Sequence, residues 1–220
     1  RVAAIGVPLV AYLATMAYFA FRPFRPIPGL QYAKAEVEWH GDCVHVGRDA
    51  ALEDRRRVPR VRGALMESGQ MTLDIELRPD SLRQWGTASI VAFSRNSMNG
   101  NFALGQEGDA LEFRVRTGRG DPGGLRGSLV VPQVLHTNRM QRVAATYKGE
   151  KLRLFVDGQL RGANANGRGG FENWGRNQVL VVGDQPNGGD GWFGCIRRLA
   201  IHDRALDADE IRRLHGGTEI

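Results

Sequence analysis

The chain has 220 residues, 42% of them hydrophobic, only two cysteines and a formal net charge of +6. That length holds one domain with a full core, and the cysteine count excludes a disulfide-built mini-domain. A nucleic-acid binder is excluded by where the charge sits. Residues 1–34 carry Arg1, Arg22, Arg25 and Lys34 with no acid, so the other 186 residues account for only +2, with acids and bases interleaved as in Glu53-Asp54-Arg55-Arg56-Arg57.

In chain order the first predicted element is a membrane helix. Val2 to Phe21 is a run of twenty residues without a charge, and at about 1.5 Å per residue it spans roughly the 30 Å of a bilayer's hydrocarbon core. A secretory signal has a shorter apolar stretch, about 7–15 residues, and a small-residue cleavage site. This run ends instead in Tyr18, Phe19, Phe21, Arg22 and Pro23, and its aromatics suit a membrane interface. Ala11, Ala14 and Ala17 line one face of the helix. They are either a packing surface for another helix or the ordinary alanine content of membrane helices. Pro8 kinks the helix or caps its first turn. By the positive-inside rule Arg22, Arg25 and Lys34 place the body in the cytoplasm, but charges ahead of Arg1 would count against them, so orientation stays open. The reading is a transmembrane helix over 1–22, a Pro-rich linker over 23–35 (Pro23, Pro26, Pro28, Gly29) and one body over 36–220.

The body reads as strands. The cluster Arg55 to Arg62 around Pro59 is predicted to be a solvated loop. Met71, Leu73, Ile75 and Leu77 then alternate with Thr72, Asp74 and Glu76 and stop at Pro79-Asp80, which predicts a strand with one buried face. Ala88–Phe93 is a continuous apolar run, and Leu111, Phe113 and Val115 alternate again. Val143, Ala145 and Tyr147 lead to Lys148-Gly149, followed by Leu152, Leu154 and Val156. Asp157-Gly158 is a two-residue hairpin signal, since both positions of a type I′ turn need positive φ. Val179–Gly183 and Phe193–His202 supply two more strands. Only the end looks helical, with Asp207 as N-cap, Glu210 at N3, and Ile211 and Leu214 on one side. Many short strands separated by turns predict a sandwich or barrel.

The order of motifs resembles a family. An alternating strand ending in Arg78-Pro-Asp precedes Asn101-Phe-Ala-Leu-Gly-Gln, then Arg142-Val-Ala-Ala-Thr-Tyr-Lys-Gly and Leu152-Arg-Leu-Phe-Val-Asp-Gly. The chain closes with Trp192-Phe-Gly-Cys-Ile-Arg-Arg-Leu-Ala-Ile-His-Asp-Arg-Ala-Leu and an acidic-start helix. Over roughly residues 36–215 this is similar to the laminin G-like, concanavalin A-like jelly roll, an all-β antiparallel sandwich with a short C-terminal helix. The resemblance implies that the first and last strands pair, which brings Cys43 near Cys195. The two are then either a disulfide, as in extracytoplasmic relatives, or two buried thiols. A disulfide would place the body outside the cytoplasm, in the periplasm of a bacterium.

No catalytic set emerges. Glycoside hydrolases on this fold use paired carboxylates, and Asp74-Ile75-Glu76 is the only match. A further Glu is expected two residues before the Asp, where Thr72 stands, so the pair reads as a solvated strand face. His40 and His45 beside Asp42 and Cys43 fall short of a zinc site, and the Arg119-Gly120-Asp121 triplet has no weight at its length. Relatives often bind calcium and sugars at a rim. Asp184, Asn187 and Asp190 in a Gly-rich loop offer oxygens to Ca2+ or are ordinary turn residues. Asn96, Asn99 and Asn101 supply hydrogen bonds in a second loop, and Trp174 is predicted as an exposed contact residue. The lead expectation is a non-catalytic, membrane-anchored interaction module, an accessory subunit docking on the extracytoplasmic side of a larger membrane protein complex. The alternative is a carbohydrate-binding domain presented to glycan at the membrane surface. No cofactor is required by either.

Overall fold

A computed structural model describes residues 30–32, 37–48, 50–84, 86–118 and 127–216. The predicted membrane helix, with Ala11, Ala14 and Ala17, lies outside the described residues, as does the Arg119-Gly120-Asp121 triplet. Among the described residues no helix is long and apolar enough to cross a membrane.

Two seven-stranded sheets face each other. The front sheet is, in spatial order, β1 (Leu30–Tyr32), β4 (Leu52–Asp54), β13 (Val179–Val182), β6 (Ala88–Asn96), β7 (Asn99–Glu107), β8 (Ala110–Val115) and β9 (Leu129–Val131). The back sheet is β12 (Gln159–Asn164), β11 (Lys151–Val156), β10 (Gln141–Lys148), β5 (Met71–Pro79), β14 (Gly194–His202), β3 (Cys43–Val46) and β2 (Val37–His40). Period-two alternation builds the core. Met71, Leu73, Ile75 and Leu77 are fully buried, and opposite them lie Phe93, Phe102, Leu104 and Phe113, also buried. Each such side chain contributes about 1.5–3 kcal/mol on leaving water. The Asp157-Gly158 turn has both residues at positive φ, 51° and 76°, as a type I′ hairpin requires.

The closing strand pairs with the opening ones. β14 runs antiparallel to β3 with Cys195 opposite His45, and to β5 with Cys195 opposite Arg78. Cys43 and Cys195 form a disulfide across 152 residues, with Cα atoms 5.7 Å apart.

Among the described residues there are two helices, the first linking β4 of the front sheet to β5 of the back sheet. α1 (Val58–Ser68) occupies the segment predicted to be a solvated loop. Pro59 does not prevent it because proline sits in the first turn, where no intrahelical N–H partner is needed. Gly69, left-handed at φ 63°, ends it by donating its N–H to the Leu65 carbonyl. α2 (Ala208–His215) has the predicted capping box, Asp207 accepting from the Glu210 N–H and Glu210 from the Asp207 N–H. These bonds hold both carboxyls below their usual range. α2 lies on the outer face of the back sheet, where Leu206, Ile211 and Leu214 bury Ala144 and Phe155.

Candidate binding site

The strand register puts one set of loops together at the end of the sandwich where β5 begins. There Met71 faces Tyr147 and the β10–β11 turn follows at 149–150. The loop 165–178 is drawn over this end by four hydrogen bonds. Gly167 N–H donates to the Glu150 carbonyl (3.0 Å), Gly118 N–H to that of Gly170 (3.1 Å), Arg168 N–H to Thr117 Oγ1 (2.8 Å) and Trp174 Nε1 to the Arg116 carbonyl (2.7 Å). Gly167 has to be glycine, since a Cβ there would lie 2.5 Å from the Tyr147 ring and 2.8 Å from the Glu150 carbonyl oxygen. We refer to this end as the lip.

Trp174 is not an exposed contact residue; it is 4% exposed. It stacks on Phe171 at 4.2 Å and meets Phe93 and Phe102 at 5.9 and 6.0 Å, so together with Phe171 it plugs the sandwich. Polar neighbours in the sequence hid an aromatic pair that belongs to the core. Trp174→Phe keeps the stacking and loses the bond to the Arg116 carbonyl, and is expected to cost about 1–2 kcal/mol in urea unfolding.

The asparagines flanking the β6–β7 hairpin reach the same lip but are occupied in building it. Asn101 is fully buried, accepting from the Gly175 N–H (2.9 Å) and donating to its carbonyl (3.4 Å). Asn99 Oδ1 accepts from Gln178 Nε2 (3.1 Å), and Asn96 Oδ1 from the Met98 N–H (3.1 Å). The unused polar groups belong to residues that sequence reasoning missed. Arg114 Nε, Arg116 Nε, Asn173 Oδ1 and Gln178 Oε1 are buried with no hydrogen-bond partner. Arg114 and Arg116 alternate onto the outer face of the front sheet, and the Arg116 N–H extends the ladder by donating to the Asn101 carbonyl (2.8 Å). Arg114 Nε has Glu112 as a counter-charge, 3.8 Å away. Their signal in the sequence was the polar half of the β8 alternation, which by itself reads as a solvent face.

The other candidates gather elsewhere. Asp74 is not on a solvated face: its side chain is 1% exposed, and Arg142 grips both carboxylate oxygens at 2.8 and 2.6 Å. The hydrogen bond to Asp74 is the main cause that raises the Arg142 guanidinium above its ordinary pKa. Glu76 pairs with Arg197 at 2.7 Å. Thr72 Oγ1 donates to the Arg204 carbonyl (2.8 Å) and accepts from the Leu206 N–H (2.9 Å). The two carboxylates therefore do not face a cleft as an acid and a nucleophile must.

At the opposite end, Asp184 Oδ1 accepts from the N–H groups of Gln185 (2.7 Å) and Asp190 (3.1 Å), closing its own turn. Burial, then the neighbouring Asp184, pushes the Asp190 carboxyl up. Asn187 is exposed. Among the described residues no three His, Cys, Asp or Glu side chains gather as metal ligands. Cys43 is spent in the disulfide and His45 Nε2 lies 2.6 Å from Asp80 Oδ2, so the His40–His45 segment is not a zinc site.

This two-sheet architecture agrees with a family match. A laminin G-type family model, described as Concanavalin A-like lectin/glucanases superfamily, covers residues 56–212, and the chain belongs to that superfamily. Among solved structures it is similar to the CBM40 of the Ruminococcus gnavus IT-sialidase bound to α2,3 sialyllactose. That likeness has a TM-score of 0.62 at 14% identity and covers 80% of this chain and 97% of that one. It is also similar to the receptor binding domain of the botulinum neurotoxin C/D mosaic serotype, with TM-score 0.59, 13% identity, and 86% and 46% coverage. The binding domain of serotype C1 matches with TM-score 0.60, 10% identity, and 87% and 48% coverage. The chain thus spans about half the length of the toxin domains. No curated protein matches the sequence.

Proposed function

We propose that the body is a non-catalytic glycan-binding module whose contact surface is the lip. The observation that carries this is the set of three buried polar atoms there without a hydrogen-bond partner, a donor from Arg116 and acceptors from Asn173 and Gln178. A buried polar group without a partner costs about 1–3 kcal/mol, and a sugar's hydroxyls both donate and accept, so one polyhydroxylated ligand satisfies such a mixed set. The carbohydrate-binding neighbour on the same fold supports this reading. In the same proposal Val2–Phe21 anchors the body at a membrane, and the Cys43–Cys195 bond favours the extracytoplasmic side.

A second reading, an accessory subunit docked on a membrane protein complex, is favoured by the apolar run followed by a short Pro-rich linker. Such a linker holds the body near membrane partners at high effective concentration. A glycan array probed with the full chain in non-ionic detergent separates the two. Glycan binding is expected, and Asn173→Ala with Gln178→Ala is expected to weaken it about tenfold or more. A blank array, with a membrane complex co-purifying, would establish the second reading instead.

A further inference from the structure

The interleaving of acids and bases along the sequence does not survive folding. Arg95 is the next-to-last residue of β6, just ahead of the turn into β7, and Lys148 and Lys151 flank the β10–β11 turn. Arg168 is tied through its N–H to Thr117, Arg176 follows the Gly175 that Asn101 holds, and Arg116 directly follows β8. All six meet at the lip. The acids of these segments are Glu150 and Glu172, whose charges both reach Tyr147 there. β4, antiparallel to β13, also runs toward this end and delivers Arg55–Arg57 ahead of α1. Among the described residues none of the six basic side chains is in an ion pair. Five of them are exposed and Arg116 is half-buried.

A second observation decides which glycans suit such a surface. Neutral sugars are commonly held by stacking on an exposed ring, yet the lip aromatics Tyr147, Phe171 and Trp174 are all buried. Among the described residues the exposed large hydrophobic side chains are Met98, Val130 and Leu160, none of them aromatic. Affinity at the lip has to come from charge and hydrogen bonds. Unpaired guanidinium groups within a Debye length of about 8 Å act together on a polyanion, and each planar fork accepts a carboxylate or sulfate in two parallel bonds.

We infer that the ligand is an acidic polysaccharide, its carboxylate or sulfate groups lying across Arg95, Arg116, Arg168 and Arg176. This rests on the glycan-binding reading and specifies its substrate class. The test uses the full chain in non-ionic detergent at physiological ionic strength, with immobilised polygalacturonate and dextran sulfate against their uncharged counterparts, methyl-esterified polygalacturonate and dextran. At least one anionic polymer is expected to bind at least tenfold more tightly than its uncharged counterpart, and comparing the two tells carboxylate from sulfate recognition. Arg168→Ala with Arg176→Ala, both exposed and free of structural side-chain bonds, is expected to weaken that binding about tenfold. Arg83→Ala, exposed at the opposite end, leaves it unchanged. Arg116→Lys retains the charge but not the fork, and is expected to lose severalfold. Equal binding of charged and uncharged polymers overturns the acidic specificity while leaving glycan binding intact. Binding to neither, alongside a blank array, overturns both. Equal affinity for single-stranded DNA of matched charge overturns the polysaccharide assignment in favour of a general polyelectrolyte surface.

Discussion

Replacing both cysteines, Cys43→Ala with Cys195→Ala, is expected to lower the unfolding free energy by about 5 kcal/mol, the chain-entropy value for so long a loop. The bond spans 152 residues, nearly the whole body. Without it the unfolded chain gains the freedom to separate its first and last strands. Against a usual domain stability of roughly 5–15 kcal/mol, that is a large fraction. The native side loses less, because β14 stays paired to β5 along Gly194–His202 and to β3 at Gly194–Ile196. Urea unfolding of the full chain, wild type against the double variant, measures the difference. The m-value is also expected to rise, since an uncrosslinked chain exposes more surface on unfolding. An unchanged midpoint would mean that the cross-link does not constrain the unfolded ensemble. It would also remove the main physical argument for a body that folds in an oxidising compartment.

The sandwich was legible because its cause is local. Met71, Leu73, Ile75 and Leu77 alternate in the sequence as they alternate between core and outer face, and Asp157-Gly158 and the Asp207–Glu210 box carry their geometry within two to four residues. The pairing of first and last strands came from family resemblance, since no local pattern records a contact across 152 residues. α1 was missed because Arg57 caps it with no side-chain bond and Pro59 reads as a breaker. The candidate site was half legible. Asn99 and Asn101 fall at the lip end, yet whether a polar side chain there faces outward or a neighbouring backbone depends on Gly175 and Gln178, more than seventy residues away. Trp174 was misplaced for the same reason, its partners Phe93 and Phe102 being equally remote. Charge segregation at the lip is likewise a property of the register, invisible to a running count along the chain.

Asp74→Ala is expected to cost about 3–5 kcal/mol, although alternation alone assigns that position to a solvent face. The carboxylate is covered because α2 lies on the outer face of the back sheet. Arg142 reaches from β10 to Asp74 with two donors and also donates to the Leu214 carbonyl at the end of α2. Arg198 Nε approaches the same carboxylate at 3.4 Å. Removing Asp74 leaves two guanidinium groups without a shared counter-charge, close to a His202 ring whose Nε2 is already buried and unpartnered. Burial, the largest influence on that ring, lowers its pKa, and the loss of Asp74 removes the main opposing charge. Arg142→Met keeps Asp74 partly compensated by Arg198 but frees the helix carbonyl, so its expected cost is smaller and falls on α2. The cycle closes with Asp74→Leu and Arg142→Met together, which replaces the pair by apolar volume beside Ala144, Ile211 and Leu214. That double variant is expected to recover at least about 1 kcal/mol relative to the sum of the single ones. Hydrogen exchange localises the effect: in Arg142→Met the α2 amides should exchange faster while β5 and β10 remain protected. Strict additivity of the single variants would show that Asp74 and Arg142 act as two independent surface charges, and the covering of this face by α2 would then need another cause.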